Sequence, residues 1–240
     1  MKKLAFFVEG YTEVLFLERL IPEICGAHKV VIDHKKIRGG GKKSGIKKTY
    51  SHVKATKTSG NEEYYFLIYD CGGDKLVGGD KSVASEIHTQ HEYLSNNGYS
   101  KIIGIRDVRP NFTYPQIPKL EVDLRKYIKT KLIPVEFILS VMEIEAWFLA
   151  EYKHFKKIDP LLTLDLIRYN LKFDPANDDL KQRPIPQEDL NNCYSLVGKE
   201  YVKYDPIITN SLDFAHIYLD VKNKFTHLEK LIGCINSFIS

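Results

Sequence analysis

The chain has 240 residues, 43% hydrophobic and 28% charged, with a formal net charge of +4. This composition is ordinary for a globular protein with a buried core, and the mild charge alone does not identify a partner. The four cysteines are widely spaced without a Cys-x-x-Cys pair, which argues against a zinc ribbon or a disulfide scaffold. No apolar stretch approaches the roughly 20 residues of a membrane span. We therefore expect a cytoplasmic protein that does not enter a membrane.

The first 20 residues predict a buried strand followed by a helix. Leu4 to Val8 is a continuous apolar run, Glu9-Gly10 forms a turn, and helical periodicity begins near Thr12. Glu9 then lies at the carboxyl end of a strand and Glu13 in the first turn of a helix. Ligands bind at that edge of open α/β sheets. The simpler alternative is a solvated Glu9 and a Glu13 that only complements the helix dipole.

A second strand is predicted at 29–33, and a strongly basic segment begins with it. Residues 29–57 contain ten Lys or Arg residues and one acid. The segment is not a P-loop, because Lys42 stands where that pattern needs a glycine before Lys-Ser. Residues 46–57 are interpreted as a short basic helix. The segment suits contact with a polyanion backbone, and the alternative is a solvated loop and helix. The predicted nucleic-acid contacts are Arg38, Lys42, Lys43, Lys47 and Lys48.

Three more predicted strands end in acids. The strand at 64–69 runs into Asp70, the strand at 101–105 into Asp107, and the strand at 135–142 into Glu143 and Glu145. Helices are predicted at 81–96 and 120–132. This alternation predicts an α/β fold with a mostly parallel sheet flanked by helices.

The character of the sequence changes after residue 150. Helices are predicted at 161–171, 190–197 and 213–239. We therefore expect an α/β domain over residues 1–150 and a helical C-terminal extension, residues 151–240, packed on that core.

Carboxylates gathered at one sheet edge need a positive charge, because like charges in close proximity repel. A hard divalent cation with oxygen ligands, Mg²⁺ or Mn²⁺, would supply it. The alternative is neutralisation by lysine or arginine side chains, and Arg106 and Arg109 flank Asp107.

Two motifs give the chain a resemblance to a known family. Val8–Glu13 reads VEGYTE, and Glu143–Leu149 reads EIEAWFL. Together they resemble the Toprim domain, and most closely the small stand-alone Toprim-like and OLD-type nucleases of prokaryotic defence systems. The resemblance covers roughly residues 1–150. The Asp-x-Asp of that family is missing, because Gly72 and Arg109 stand two positions after Asp70 and Asp107.

The resemblance implies a Rossmann-like Toprim fold and a Mg²⁺- or Mn²⁺-dependent nuclease that hydrolyses DNA or RNA in anti-phage defence. The protein partner that it implies is an ATPase, and a homo-oligomer stays open. The implied catalytic residues are Glu9, Asp70, Asp107 and Glu145, and the implied metal ligands are Glu9, Glu13, Asp70, Asp107, Glu143 and Glu145. Two other functions stay open: a non-catalytic Toprim-like module that binds nucleic acid or a partner ATPase, and a metal-dependent enzyme acting on a small phosphorylated substrate.

Overall fold

The computed structural model describes residues 1–39, 47–58, 60–72, 83–126 and 128–240. Within these residues a six-stranded sheet has the strand order β3-β2-β4-β1-β5-β6. The strands are β1 (Lys2–Val8), β2 (Val30–Arg38), β3 (Thr49–Lys57), β4 (Tyr64–Asp70), β5 (Tyr99–Asp107) and β6 (Val135–Ser140).

The sheet is mostly parallel, which confirms the predicted fold class. Strand β1 pairs in parallel with β4 and β5, and β2 pairs in parallel with β4. Strand β3 is antiparallel to β2 at one edge of the sheet. The central strands are apolar because both of their faces are covered, and Leu4 to Val8 are all fully buried.

The helix predicted over residues 46–57 is wrong, because Thr49–Lys57 forms strand β3. Its β-branched and aromatic residues suit a strand, and the ladder with β2 supplies the backbone hydrogen bonds. Of the lysines that suggested a basic helix, Lys54 and Lys57 are exposed on this edge strand, and Lys47 and Lys48 precede it. The preceding strand is also longer than predicted, since β2 continues from Val30 to Arg38.

The first compact unit comprises residues 1–106, 118–138 and 235–240. Its helices are α1 (Tyr11–Cys25), α2 (Val83–Asn96) and most of α3 (Ile117–Arg125). Helix α2 packs closely on β5 at Gly104, where an added Cβ would lie 2.8 Å from Ile87 Cδ1 and 2.9 Å from the Phe137 ring. Residues 235–240 complete this unit: the Phe238 ring lies 5.2 Å from that of Phe66, and the Tyr64 hydroxyl donates a 2.6 Å hydrogen bond to the carbonyl of Ile239.

The second compact unit comprises residues 107–117 and 139–234 and is built mainly from helices. Trp147, Phe148, Phe155 and Tyr194 are its largest buried side chains. Residue 150 lies inside this unit, and the predicted domain boundary there stays a prediction. The helices are α4 (Glu145–Ala150), α5 (Phe155–Ile158), α6 (Leu164–Leu171), α7 (Pro186–Ser195), α8 (Pro206–Ser211), α9 (Phe214–Leu219) and α10 (Thr226–Ile239), the last of which continues into the first unit.

Across the described ranges, none of the helices has both the length and the apolar character needed to cross a bilayer.

Candidate functional site

Two of the predicted acids stand at the ends of neighbouring parallel strands in the first unit. The register of β1 and β4 pairs Val8 with Asp70, so Glu9, the next residue, lies at the same carboxyl edge one residue step beyond Asp70. The Cys71 amide donates a 2.9 Å hydrogen bond to the Val8 carbonyl and continues the pairing past the end of the strand. The sequence prediction that Glu9 and Asp70 share one sheet edge is therefore confirmed by the sheet register.

Gly72 lets the chain turn tightly beside these two acids. Its amide donates a 2.8 Å hydrogen bond to Asp70 Oδ1. An added Cβ at this position would lie 2.9 Å from that oxygen and 3.2 Å from the Glu9 carbonyl oxygen. A residue with a side chain therefore does not fit here without displacing the Asp70 carboxylate or the backbone of the turn.

The Asp70 carboxylate is almost entirely buried, with 2% of its surface exposed. Burial raises its pKa above the usual 3.8, while the Gly72 hydrogen bond and the charge of Lys36 act in the opposite direction. Lys36 Nζ lies 3.9 Å from Asp70 Oδ2, too far for a direct hydrogen bond. A buried carboxylate with so little compensation is stabilised by any cation that reaches it.

Glu13 lies in the first turn of α1, as predicted, and only 2% of its surface is exposed. Burial at this level is unusual for a carboxylate that only complements a helix dipole. The ring of Tyr11, the first residue of α1, stacks on that of His34, with centroids 5.9 Å apart. His34 is 1% exposed, and within the described residues neither of its ring nitrogens has a hydrogen-bond partner. Burial lowers the pKa of His34 to about 4, so its ring is neutral at pH 7.

The remaining predicted acids belong to the second unit and have partners there. Asp107, the last residue of β5, accepts a 3.0 Å hydrogen bond from the Ile144 amide. Glu143 accepts a 3.0 Å hydrogen bond from the Gln187 amide in the first turn of α7, and Arg109 lies 3.7 Å away. Burial raises the pKa of Glu143, and Glu145 raises it further, whereas the Gln187 hydrogen bond, Arg109 and Lys203 lower it.

Glu145 is fully buried in the second unit. The Tyr201 hydroxyl donates a 2.6 Å hydrogen bond to its Oε1, and Lys203 Nζ lies 3.5 Å from the same oxygen. These contacts explain how a carboxylate is tolerated there, and they agree in part with the salt-bridge alternative. The predicted union of all the acids in one metal site stays a prediction.

The predicted nucleic-acid contacts divide into three groups. Arg38 and Lys47 are exposed at the end of β2 and just before β3. Lys48 instead binds the buried Glu86 of α2, with Nζ 2.8 Å from Oε1. Lys42 and Lys43 lie outside the described residues.

Sequence reasoning missed Lys36 and Glu86. Lys36 lies two residues after His34 in β2, and residues two apart in a strand share a face. This spacing could not be used, because the predicted strand ended at residue 33. Glu86 is recognisable only from its contact with Lys48, which is 38 residues away in sequence.

The donor set can be compared with the requirements of a divalent cation. No group of three or more His, Cys, Asp or Glu side chains in a metal-binding arrangement occurs among the described residues. Mg²⁺ does not require such a group, because it commonly uses one or two carboxylates and keeps several waters. Glu9 and Asp70 lie at the same carboxyl edge, and Asp70 is buried with a raised pKa, so these two carboxylates meet that smaller requirement in number and type.

The chain was compared with protein-family models, curated proteins and solved structures, and none of them gave a significant match.

Proposed function

We propose that the chain is a Mg²⁺- or Mn²⁺-dependent nuclease of the Toprim type that hydrolyses phosphodiester bonds of DNA or RNA. The observation that carries the proposal is the register of β1 and β4, which brings Glu9 and the buried Asp70 to the same carboxyl edge of the sheet, one residue step apart. A buried acid with a raised pKa at such an edge, here Asp70, is a candidate for a functional site. The VEGYTE motif that begins at Val8 supports the same assignment.

In this proposal Glu9 and Asp70 hold the cation, and Glu13 supports them from the first turn of α1. A bound divalent cation would polarise a phosphate and lower the pKa of an attacking water. Gly72 keeps Asp70 oriented through its amide hydrogen bond. The catalytic and ligand roles of Asp107, Glu143 and Glu145 stay predictions that follow from the family resemblance, as do the defence role and the ATPase partner.

The test is Mg²⁺ and Mn²⁺ binding by calorimetry, together with cleavage of labelled DNA and RNA. The variant is Glu9→Gln with Asp70→Asn, which removes two charges and keeps the shapes of the side chains. The matched control is Glu23→Gln with Asp123→Asn, at exposed positions of the first unit. We expect the first pair to abolish metal binding and cleavage and the control to retain both. Unchanged metal binding by the Glu9 and Asp70 variant would show that the site is misassigned.

The alternative is a non-catalytic module that binds nucleic acid or a partner ATPase. One observation favours it: Gly72 occupies the position of the second aspartate of the family pattern, and a side chain there would collide with Asp70. Metal binding and nucleic-acid binding without cleavage of any substrate by the wild type would support this alternative over the nuclease.

A further inference from the structure

Strands β2 and β3 form an antiparallel ribbon that extends beyond the acid-bearing edge of the sheet. Strand β4 ends at Asp70, which pairs with Lys36 of β2. The next two residues of β2 are paired by β3 alone, Ile37 with Tyr50 and Arg38 with Thr49. A molecule bound at Glu9 and Asp70 would therefore have the end of this ribbon beside it.

The ribbon has a large excess of positively charged residues over negatively charged ones. Its described residues between Val30 and Lys57 include a single acid, Asp33, which is buried. The cationic residues in the same range are Lys35, Lys36, Arg38, Lys47, Lys48, Lys54 and Lys57. Since β3 is an edge strand whose residues from His52 to Lys57 are all exposed, this charge faces solvent.

Within the described ranges, four of these cations lie within ion-pair distance of a carboxylate, and the other three do not. Lys48 binds Glu86, and Lys54 Nζ lies 2.8 Å from Glu18 Oε2. Arg38, Lys47 and Lys57 are exposed, and within the described part of the chain no carboxylate lies within ion-pair distance of them. Exposed cations without a protein partner are available to the phosphates of a nucleic acid.

The aromatic content of the ribbon favours a duplex over a single strand. Proteins that bind single strands commonly stack bases on exposed aromatic rings. Tyr50 is the one Phe, Tyr or Trp in the described residues of the ribbon, and it is half-buried, with its ring 5.6 Å from that of Tyr69. A duplex keeps its bases stacked inside and presents its phosphates outward, so cations alone suffice to hold it.

We propose that the β2–β3 ribbon binds the phosphate backbone of duplex nucleic acid without regard to sequence. Arg38 and Lys47 contact phosphates at the end near Glu9 and Asp70, and Lys57 does so at the other end of β3. The eight residue steps from Thr49 to Lys57 span about 26 Å at roughly 3.3 Å per step. That length matches about eight base pairs along a duplex axis at roughly 3.4 Å each. The inference rests on the proposed function, because it identifies the substrate form that reaches the same sheet edge.

The experiment measures binding of labelled duplex DNA, duplex RNA and single strands by fluorescence anisotropy, without divalent metal and over a series of salt concentrations. The variant is Arg38→Gln, Lys47→Gln and Lys57→Gln together. The matched control, Arg19→Gln, Lys119→Gln and Lys131→Gln, removes one arginine and two lysines from exposed positions of the same unit. Thermal melts establish that both proteins are folded.

We expect wild type and control to bind at least one duplex more tightly than single strands, with a steep salt dependence. The ribbon variant should bind more than tenfold more weakly, and its slope of log K against log salt should fall by about two to three, near 0.9 for each phosphate that the variant no longer neutralises. Equal weakening in the control, or tighter binding of single strands, would overturn the inference. The Glu9 and Asp70 variant should keep duplex binding, so failure of the ribbon inference can be told from failure of the nuclease proposal.

Discussion

Lys48 Nζ lies 2.8 Å from Oε1 and 3.0 Å from Oε2 of Glu86, whose side chain is almost entirely buried. Lys47, its neighbour in sequence, is exposed. Two adjacent lysines that the sequence presents as equivalent phosphate contacts therefore have different roles. One compensates a buried carboxylate, and the other remains available to a ligand.

Lys48→Gln should destabilise the protein, and Lys47→Gln should not. Without the Lys48 ammonium, Glu86 keeps only the 3.4 Å hydrogen bond from the Tyr50 hydroxyl among its described contacts. A buried acceptor that loses a charged partner costs about 1–3 kcal/mol, whereas an exposed substitution usually changes stability by about 0.5 kcal/mol or less. Urea unfolding of the two variants measures the difference. Equal free energies of unfolding would contradict the assigned role of the Lys48–Glu86 pair.

Gly72→Ala should disturb the acidic edge. The new Cβ would lie 2.9 Å from Asp70 Oδ1, 3.2 Å from the Glu9 carbonyl oxygen and 3.3 Å from Gly10 Cα. Overpacking of this kind typically costs about 1–3 kcal/mol, and it should weaken metal binding by moving the Asp70 carboxylate. The control is Gly233→Ala in helix α10, where nothing lies within 4 Å of an added Cβ. That change should leave metal binding intact and stabilise the helix by about 0.5–1 kcal/mol.

Asp70→Asn should stabilise the protein at neutral pH while it removes function. Burial raises the pKa of Asp70 in the folded state, so the folded protein holds this proton more tightly than the unfolded chain does. Stability is therefore lost as the pH rises from 3.8 through the folded-state pKa. Each unit of the shift corresponds to about 1.4 kcal/mol. In chemical unfolding, the variant should have a larger free energy of unfolding than wild type at pH 7 and should not have one at pH 3. A variant less stable than wild type at pH 7 would contradict a destabilising effect of the buried Asp70 charge.

His34 should make the protein less stable as the pH falls below neutrality. Burial lowers its pKa from 6.5 to about 4, so between these values the unfolded chain binds a proton that the folded protein does not. Stability should decline from pH 6.5 towards pH 4, by on the order of 3 kcal/mol. In His34→Phe this part of the decline should disappear, whereas His88→Phe on α2 should keep it. The pH dependence of the free energy of unfolding, compared between the two variants, measures the effect.

The sequence predicts the central strands because their buried residues form uninterrupted apolar runs. This is why the positions of Glu9 and Asp70 at one sheet edge could be anticipated. Strand β3 could not be predicted, because its lysines and threonines form no apolar pattern and its conformation depends on pairing with β2. The hydrogen-bond partners of the remaining acids could not be predicted from the sequence either. Glu143 meets the Gln187 amide 44 residues further along the chain, and such contacts follow from packing rather than from local pattern.

Helix α10 contributes its last turn to the first unit, although most of that unit precedes residue 107. Tyr64 and Phe66 of β4 receive their contacts from Ile239 and Phe238. During synthesis, this side of β4 therefore stays uncovered until residues 235–240 have left the ribosome. A fragment ending at residue 150 would expose the Phe66 ring, and it should tend to aggregate or to need a chaperone even if its sheet were formed.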